Sequence, residues 1–299
     1  MGTILITGGS GLIGSALTAH LRQGGHEVRW IGRTAAGSDG VAGFAWHPGL
    51  GAPDEAVRDV DHVVHLAGAP IADKRWSNER VRELTTSRTA GPEALWQAAR
   101  RTGWWPRSVV SASGTGWYGA GRWSDPLDER APPGHDAIAG ITTAWEEAAD
   151  RWAPHARVVK LRTPMVLART GGALPRLARL ARFGLASPLG DGRQVMTWVH
   201  LDDLVSAYSG ALFNEDRQGA YNVAAAEQPD NRTFMRTLAR VLHRPFVMPA
   251  VPGIALRAAL GGIADVLLGG GPLRTERLEA TGWRCAHPGL EAALRDLLR

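Results

Sequence analysis

The chain holds a single cysteine, Cys285, among its 299 residues. One thiol builds neither a disulfide framework nor a cysteine-based metal site. Lysine is almost as scarce, at Lys74 and Lys160, and the tyrosines are three: Tyr118, Tyr208 and Tyr221. No tyrosine has a lysine four residues after it. The ten histidines show no His-x-x-x-His spacing and no mixed Asp/His cluster, so no metal is expected. A Gly-x-Ser-x-Gly elbow is missing, which argues against a hydrolase built on that turn. Long apolar runs are missing too. The stretch Phe246 to Leu268 is broken by Pro249, Pro252, Arg257 and Asp265, whereas a membrane span needs roughly 18 apolar residues in a row. The opening MGTILITGG lacks a basic region and a cleavage site, so a cytoplasmic protein with no membrane partner is expected.

Excess charge of one sign is small. Thirty-four basic residues face 29 acidic ones, and arginines are scattered among acids rather than gathered into a block. Despite a pI of about 10.1, nucleic acid is not an expected partner. The twelve tryptophans are dispersed, which suits core packing better than a base-stacking platform. The expected partner is a small-molecule substrate, and a monomer or homodimer is expected.

What is present is alternation. TILITGG (3–9) reads as a short buried strand, and Leu12, Ile13, Leu17 and Leu21 then recur at helical spacing until Gly24-Gly25. Further strands are expected at 26–33, 61–68, 107–114 and 156–167, with helices at about 78–102, interrupted at Pro92, and up to about Trp152. The glycine-rich segment 34–43 stands where a second helix would fall, so that crossover is expected to be short or irregular. This order predicts an α/β fold: a Rossmann-type doubly wound parallel sheet with right-handed crossovers. Residues 1–168 are expected to form mainly the dinucleotide-binding domain. Residues 169–299 would form a smaller C-terminal substrate region, interleaved with the last sheet strands.

TGGSGLIG (7–14) follows a strand directly and opens a helix, the context that gives a glycine pattern meaning. Gly8 permits the tight turn, Gly11 lets backbone approach a pyrophosphate, and Gly14 lets helix and sheet pack closely. Gly9, Ser10, Leu12 and Ile13 complete the loop, whose helix N-terminus favours an anion. An NAD site wants a carboxylate at the end of the second strand; here stand Ile31, Gly32 and Arg33. Arg33 can bond a 2′-phosphate, so NADP(H) is the expected cofactor, with NAD(H) the alternative.

TGGSGLIG, HLAGAP, VSASGTGWYG and WVHLDDL, in that order, resemble the extended short-chain dehydrogenases/reductases of the NAD(P)-dependent epimerase/dehydratase superfamily. AGAPIADKRWS, WEE, LRTPMVLARTGGAL and GDGRQVMTWVHLDD are similar to one branch, the epimerase-family or nucleoside-diphosphate-sugar-epimerase-like proteins. The resemblance covers nearly the whole chain. It implies that Ala67 and Gly68 line the cofactor and that Ser113, with Ser111 earlier on its strand, bonds the reacting group. It also implies that Arg162, Thr163 and Pro164 border the nicotinamide.

The superfamily further implies a tyrosine that moves a proton and a lysine four residues on that lowers its pKa. The matching positions here are Ile138 or Ala139 and Thr142 or Thr143, so the dyad is absent. Three readings stay open. Other groups could carry the chemistry: Thr115 and Tyr118 near Ser113, Lys74 and Asp73 in the ADKRW loop, or His200 and Asp202. The substrate could need only hydride transfer, with its proton from water. Or the protein could bind NADP(H) without turnover, as a sensor or a partner-binding module. ADKRW could hold an anionic substrate or close on itself as a salt-bridged turn. Arg193 and Gln194, on a loop flanked by glycine, together with Trp198 and His200, are the remaining substrate candidates.

Overall fold

The computed structural model describes residues 1–38, 40–46 and 51–299. Its centre is a seven-stranded, wholly parallel sheet. Strands β1 (Thr3–Thr7), β2 (Glu27–Gly32), β3 (Ala42–Ala45), β4 (His62–His65), β5 (Ser108–Gly114), β6 (Arg157–Thr163) and β9 (Gly219–Asn222) lie in the order β3-β2-β1-β4-β5-β6-β9. Two outward paths from β1 make this a doubly wound sheet, and ligands of such sheets bind beyond the carboxyl ends near the reversal. β1 is enclosed on both sides, with Ile4, Leu5 and Ile6 at 0% exposure. Helices α1 (Leu12–Gln23) and α6 (Leu201–Phe213) cover one face of the sheet, while α2 (Asp54–Val57), α3 (Asn78–Thr102) and α4 (Ala137–Asp150) cover the other.

The segment 34–43, expected to be a short or irregular crossover, contains no helix among its described residues, and the chain returns from it as edge strand β3, paired with β2 from Arg29↔Ala42 to Gly32↔Ala45. The expectation for Pro92 is corrected, since it does not interrupt its helix: α3 runs unbroken for 25 residues. Proline removes the donor that would reach the carbonyl four residues back, that of Arg88. The buried His65 takes that carbonyl instead, with Nε2 at 2.9 Å. A tertiary contact thus repairs the local defect.

The expected strand 156–167 divides at Pro164. Beyond it β7 (Met165–Leu167) leaves the main sheet and pairs with β8 (Trp198–His200). With α5 (Leu174–Arg182), α7 (Asn231–Val241) and α11 (Leu290–Leu298), these strands enclose a second apolar cluster around Trp198, Phe234 and Leu294. Three short helices, α8 (Gly253–Leu260), α9 (Ile263–Leu268) and α10 (Glu276–Glu279), complete the C-terminal part. No helix is long and apolar enough to cross a membrane among the described residues.

Candidate cofactor and reaction site

The glycine loop follows β1 and turns at Gly8, whose φ of +75° suits glycine. Gly11 N–H donates to Gly8 O at 3.0 Å and closes the turn, and α1 begins directly after it. Close approach is demanded at three points. A Cβ on Gly14 would lie 2.3 Å from Gly8 O, one on Gly9 would meet the Trp30 indole at 2.3 Å, and one on Gly8 would meet Ala67 N at 2.9 Å. Gly11 differs: a Cβ there meets only Gly8 O, at 3.2 Å, and the residue is exposed with Ser10. The cradle is therefore tight behind and open in front, as a pyrophosphate requires.

A buried polar chain fastens this loop to the end of β4. Thr7 Oγ1 accepts from Leu66 N–H and Ala67 N–H, both at 3.2 Å, and its hydroxyl lies 2.6 Å from His65 Nδ1. His65 Nε2 must donate to Arg88 O, so Nδ1 accepts the Thr7 proton. Burial pushes the His65 pKa down to about 4, which keeps the ring neutral. Arg88, also buried, bonds Leu84 O and Ala69 O and covers Trp145 at 4.9 Å. It thereby holds the loop that begins Ala67-Gly68. Arg33 lies just past β2 and is exposed, while a Cβ on Gly32 would make only an ordinary 3.7 Å contact, with Thr34 O.

Parallel register sets Ser113 on β5 beside Arg162 on β6. Both are buried, and both converge on Glu146 of α4, itself 2% exposed. Ser113 Oγ donates to Glu146 Oε1 at 2.7 Å; Arg162 grips the same carboxylate through Nε at 2.8 Å and Nη2 at 3.1 Å. Lys160 Nζ stands 3.5 Å from Glu146 and 2.8 Å from Asp150. Arg162 Nη1 reaches Tyr118 OH and Glu129 O, both at 3.2 Å, and its guanidinium covers the Trp117 ring at 4.0 Å. Every bond of this guanidinium is therefore internal. Tyr118 OH donates to Asn222 Oδ1 at 2.7 Å, and burial raises its pKa, making it a weaker acid than a free phenol. Ser111 bonds its neighbour's carbonyl, Ala112 O, and Thr115 opens the 3-10 turn Thr115–Tyr118.

The residues that the resemblance matches to the dyad, Ile138 or Ala139 and Thr142 or Thr143, lie on α4. Gly116, in that turn, packs so closely on the helix that a Cβ would meet Ile138 Cγ1 at 2.5 Å and Thr142 Oγ1 at 2.9 Å. Thr142 bonds back to Ile138 O. Helix and turn leave no slot for a tyrosine between them.

Other candidates lie apart from this network. Lys74 is exposed, and Asp73 forms a 3.5 Å ion pair with Arg176 of α5. Arg193 is exposed. Gln194, 2% exposed, donates to Leu189 O and Leu267 O and leaves Oε1 unpaired. Trp198 and His200 face the core: the indole donates to Glu227 O, and His200 caps α6 by accepting from Asp202 N–H. His200 stacks on His287 at 3.8 Å near Asp202, a group of metal-ligating type. Parallel stacked rings send their in-plane lone pairs side by side rather than to one point, and the cap already uses His200 Nδ1. Asp203, not singled out in the sequence, anchors the C-terminal segment by accepting from Ala286 N–H and His287 N–H at 2.8 and 3.0 Å. An open cleft of about 360 Å³ lies beside Gly190, Arg122 and Arg257, where Arg122 holds Asp191 at 2.8 Å and Arg257 holds Asp265 at 2.9 Å.

Glu146 is the main residue that sequence reasoning passed over. Its signal was present, since a carboxylate follows the apolar face Ile138, Ile141, Trp145, but WEE reads equally well as a solvated end.

A doubly wound parallel sheet whose first strand runs into a tight glycine cradle defines a Rossmann-type dinucleotide-binding fold. Residues 4–224 match the NAD dependent epimerase/dehydratase family, and residues 251–297 match a domain of unknown function. The chain belongs to the NAD-dependent epimerase/dehydratase family. It is 33% identical to the mouse (Mus musculus) epimerase family protein SDR39U1, over 99% of each chain. It is 36% identical to an epimerase family protein of Mycobacterium tuberculosis, over 97% of this chain and 96% of that one. Human SDR39U1, solved with NADPH, superposes with a TM-score of 0.88 at 31% identity, over 99% of this chain and 98% of that one. Thermus thermophilus UDP-glucose 4-epimerase, solved with NAD, gives 0.75 at 25%, over 99% of each chain.

Proposed function

We propose that the protein binds NADP(H) and acts as an oxidoreductase or epimerase on a small polar substrate, a nucleotide sugar or a carbonyl compound, without a Tyr-x-x-x-Lys dyad. The observation that carries this reading is the cradle closed at Gly8 and Gly14 and open at Gly11. Ser10 through Ile13 would hold the pyrophosphate, Arg33 the 2′-phosphate, and Ala67, Gly68 and Pro164 the rest of the dinucleotide. The relative solved with NADPH supports that choice. When bound, the nicotinamide supplies hydride donation or acceptance. Ser113, oriented by Glu146, is the residue assigned to the reacting oxygen, with Thr115 beside it. Exposed Lys74, Asp73 and Arg193 are assigned to the substrate side. We place the protein in the cytoplasm as a monomer or homodimer.

A second reading, binding without turnover, is favoured by one observation. Ser113, Tyr118, Arg162 and Glu146 are all bonded to one another or to neighbouring protein groups. Titration of the tryptophan fluorescence with NADPH and NADH tests the cofactor. A screen for hydride transfer and epimerisation with nucleotide sugars and small carbonyl compounds then separates the two. Tight NADPH binding with no turnover selects the second reading; no binding of either nucleotide removes both.

A further inference from the structure

The helix α5 turns an unusual face outward. Leu174, Ala178 and Ala181 are buried, which settles its inner side. Arg176, Arg179, Leu180 and Phe183 recur at i, i+3, i+4 and i+7 and therefore share the opposite side. All four are exposed, Phe183 at 74%. An outward stripe would ordinarily be polar throughout; this one mixes arginine with large apolar side chains.

The apolar surface continues into the neighbouring loop. Leu185 N–H bonds Leu180 O, folding the helix end back on itself. Pro188 O accepts from Val251 N–H at 2.8 Å, and Val251 O accepts from Gly190 N–H at 2.8 Å, which ties segment 185–190 to segment 247–252. Val247 and Met248 stand on that second segment, and Ile254 opens α8, a helix with no buried residue. Leu185, Val247, Met248 and Ile254 are all exposed, Val247 at 75% and Ile254 at 79%. Arg179 and Arg182, on and beside that outer stripe, are exposed, and their side chains have no acidic partner among the described residues.

We infer that this face, built from the outer side of α5 and the 247–254 segment, docks on an anionic lipid surface. Singly projecting apolar side chains enter the headgroup layer without needing a complementary groove, and unpaired arginines at their border bind its negative charge. A protein partner would instead call for a continuous, well-shaped patch. Docking of this kind departs from the expectation of no membrane partner, which rested on the absence of a spanning segment; it is distinct from spanning, for which there is no helix among the described residues. It also stands apart from the cofactor assignment.

Sedimentation of the whole protein with vesicles tests it. The protein should pellet with phosphatidylcholine vesicles containing phosphatidylserine and stay in solution with phosphatidylcholine alone. Each of Arg179→Ala and Arg182→Ala should weaken partition about fivefold. Phe183→Ser should weaken it with unchanged circular dichroism and unchanged melting temperature, as befits an exposed side chain. High salt should release the protein, because exposed charges are screened. Failure to pellet with either vesicle, equal pelleting with both, or no effect of the three substitutions would overturn the inference. So would concentration-dependent self-association abolished by Phe183→Ser, which would assign the face to a second copy.

Discussion

The Ser113 hydroxyl donates its proton to the buried Glu146 carboxylate at 2.7 Å, and therefore offers lone pairs rather than a proton to anything placed against it. Glu146 is in turn locked by the bidentate Arg162. The two residues should consequently respond differently to removal. Ser113→Ala leaves the ion pair intact, so the fold should persist while any turnover found in the screen falls about a hundredfold or more. Glu146→Ala strands a buried guanidinium and should cost about 3–5 kcal/mol of stability. Replacing both Glu146 and Arg162 by apolar residues should cost less than Glu146→Ala alone. Urea unfolding of the three variants checks this order; a mild effect of Glu146→Ala would refute the buried-pair account.

Restoring the dyad should fail. Ile138 and Thr142 pack so closely on Gly116 that a Cβ on that glycine would have no room, so larger side chains at these two positions meet the turn. The double variant Ile138→Tyr, Thr142→Lys must push the 3-10 turn away and bury a cation beside it, at a cost of several kcal/mol. The expected outcome is a lowered melting temperature and no gain of activity. A stable, more active double variant would show that the turn yields, contrary to this packing.

Among the loop glycines, Gly11 and Gly14 should separate binding from folding. Gly14→Ala forces a Cβ against Gly8 O at 2.3 Å and should destabilise the domain by a few kcal/mol. Gly11→Ala brings its Cβ only to 3.2 Å from Gly8 O, which a shift of a few tenths of an ångström relieves, so the melting temperature should fall far less than in Gly14→Ala. Its new methyl would stand where backbone must approach the pyrophosphate, so NADPH affinity should fall at least about tenfold. Equal affinity in Gly11→Ala and the parent would move the pyrophosphate elsewhere.

These contrasts explain what was legible in the sequence. TGGSGLIG could be read because the turn at Gly8 and the close approach of Gly14 to Gly8 O are demands expressed within eight residues, whereas the need for Gly9 comes from Trp30 on β2. The alternation of β1, β4, β5 and β6 with helices could be read because enclosed parallel strands are nearly continuous apolar runs. The role of Glu146 could not, because it lies on α4 and its partners sit on strands β5 and β6, Arg162 lying 16 residues away. Pro92 misled for the same reason: local rules require a break, and only His65, 27 positions earlier in the chain, removes the penalty. β3 escaped notice because AGFA is short and follows a glycine-rich stretch with no helix among its described residues.

Acid should loosen the cofactor loop through His65. Its folded pKa of about 4 lies below the ordinary imidazole value of 6.5, so between these the unfolded chain binds the proton more readily. The stability it supports is complete above about 6.5 and is lost as pH falls toward 4. The difference of 2.5 corresponds to a ceiling on the order of 3 kcal/mol. A protonated ring can no longer accept from Thr7, so the link to Leu66 and Ala67 should weaken in the same window. Urea midpoints measured from pH 7 to pH 4 should fall, and His65→Gln should be less stable at pH 7 with a shallower slope. An unchanged slope would place the acid sensitivity elsewhere.

Cofactor choice rests on Arg33. It follows β2 directly, is exposed, and has Gly32 beside it, where an added Cβ would meet nothing closer than Thr34 O at 3.7 Å. A 2′-phosphate entering there gains charge-assisted hydrogen bonds to the guanidinium, whereas a carboxylate at the same place would repel it and bond ribose hydroxyls instead. Arg33→Asp should therefore weaken NADPH and strengthen NADH, reversing the preference. Because the side chain lies on the surface, the melting temperature should hardly move. Fluorescence titration with both nucleotides reads the ratio directly, and a ratio equal to that of the parent would mean that Arg33 does not meet the 2′-phosphate.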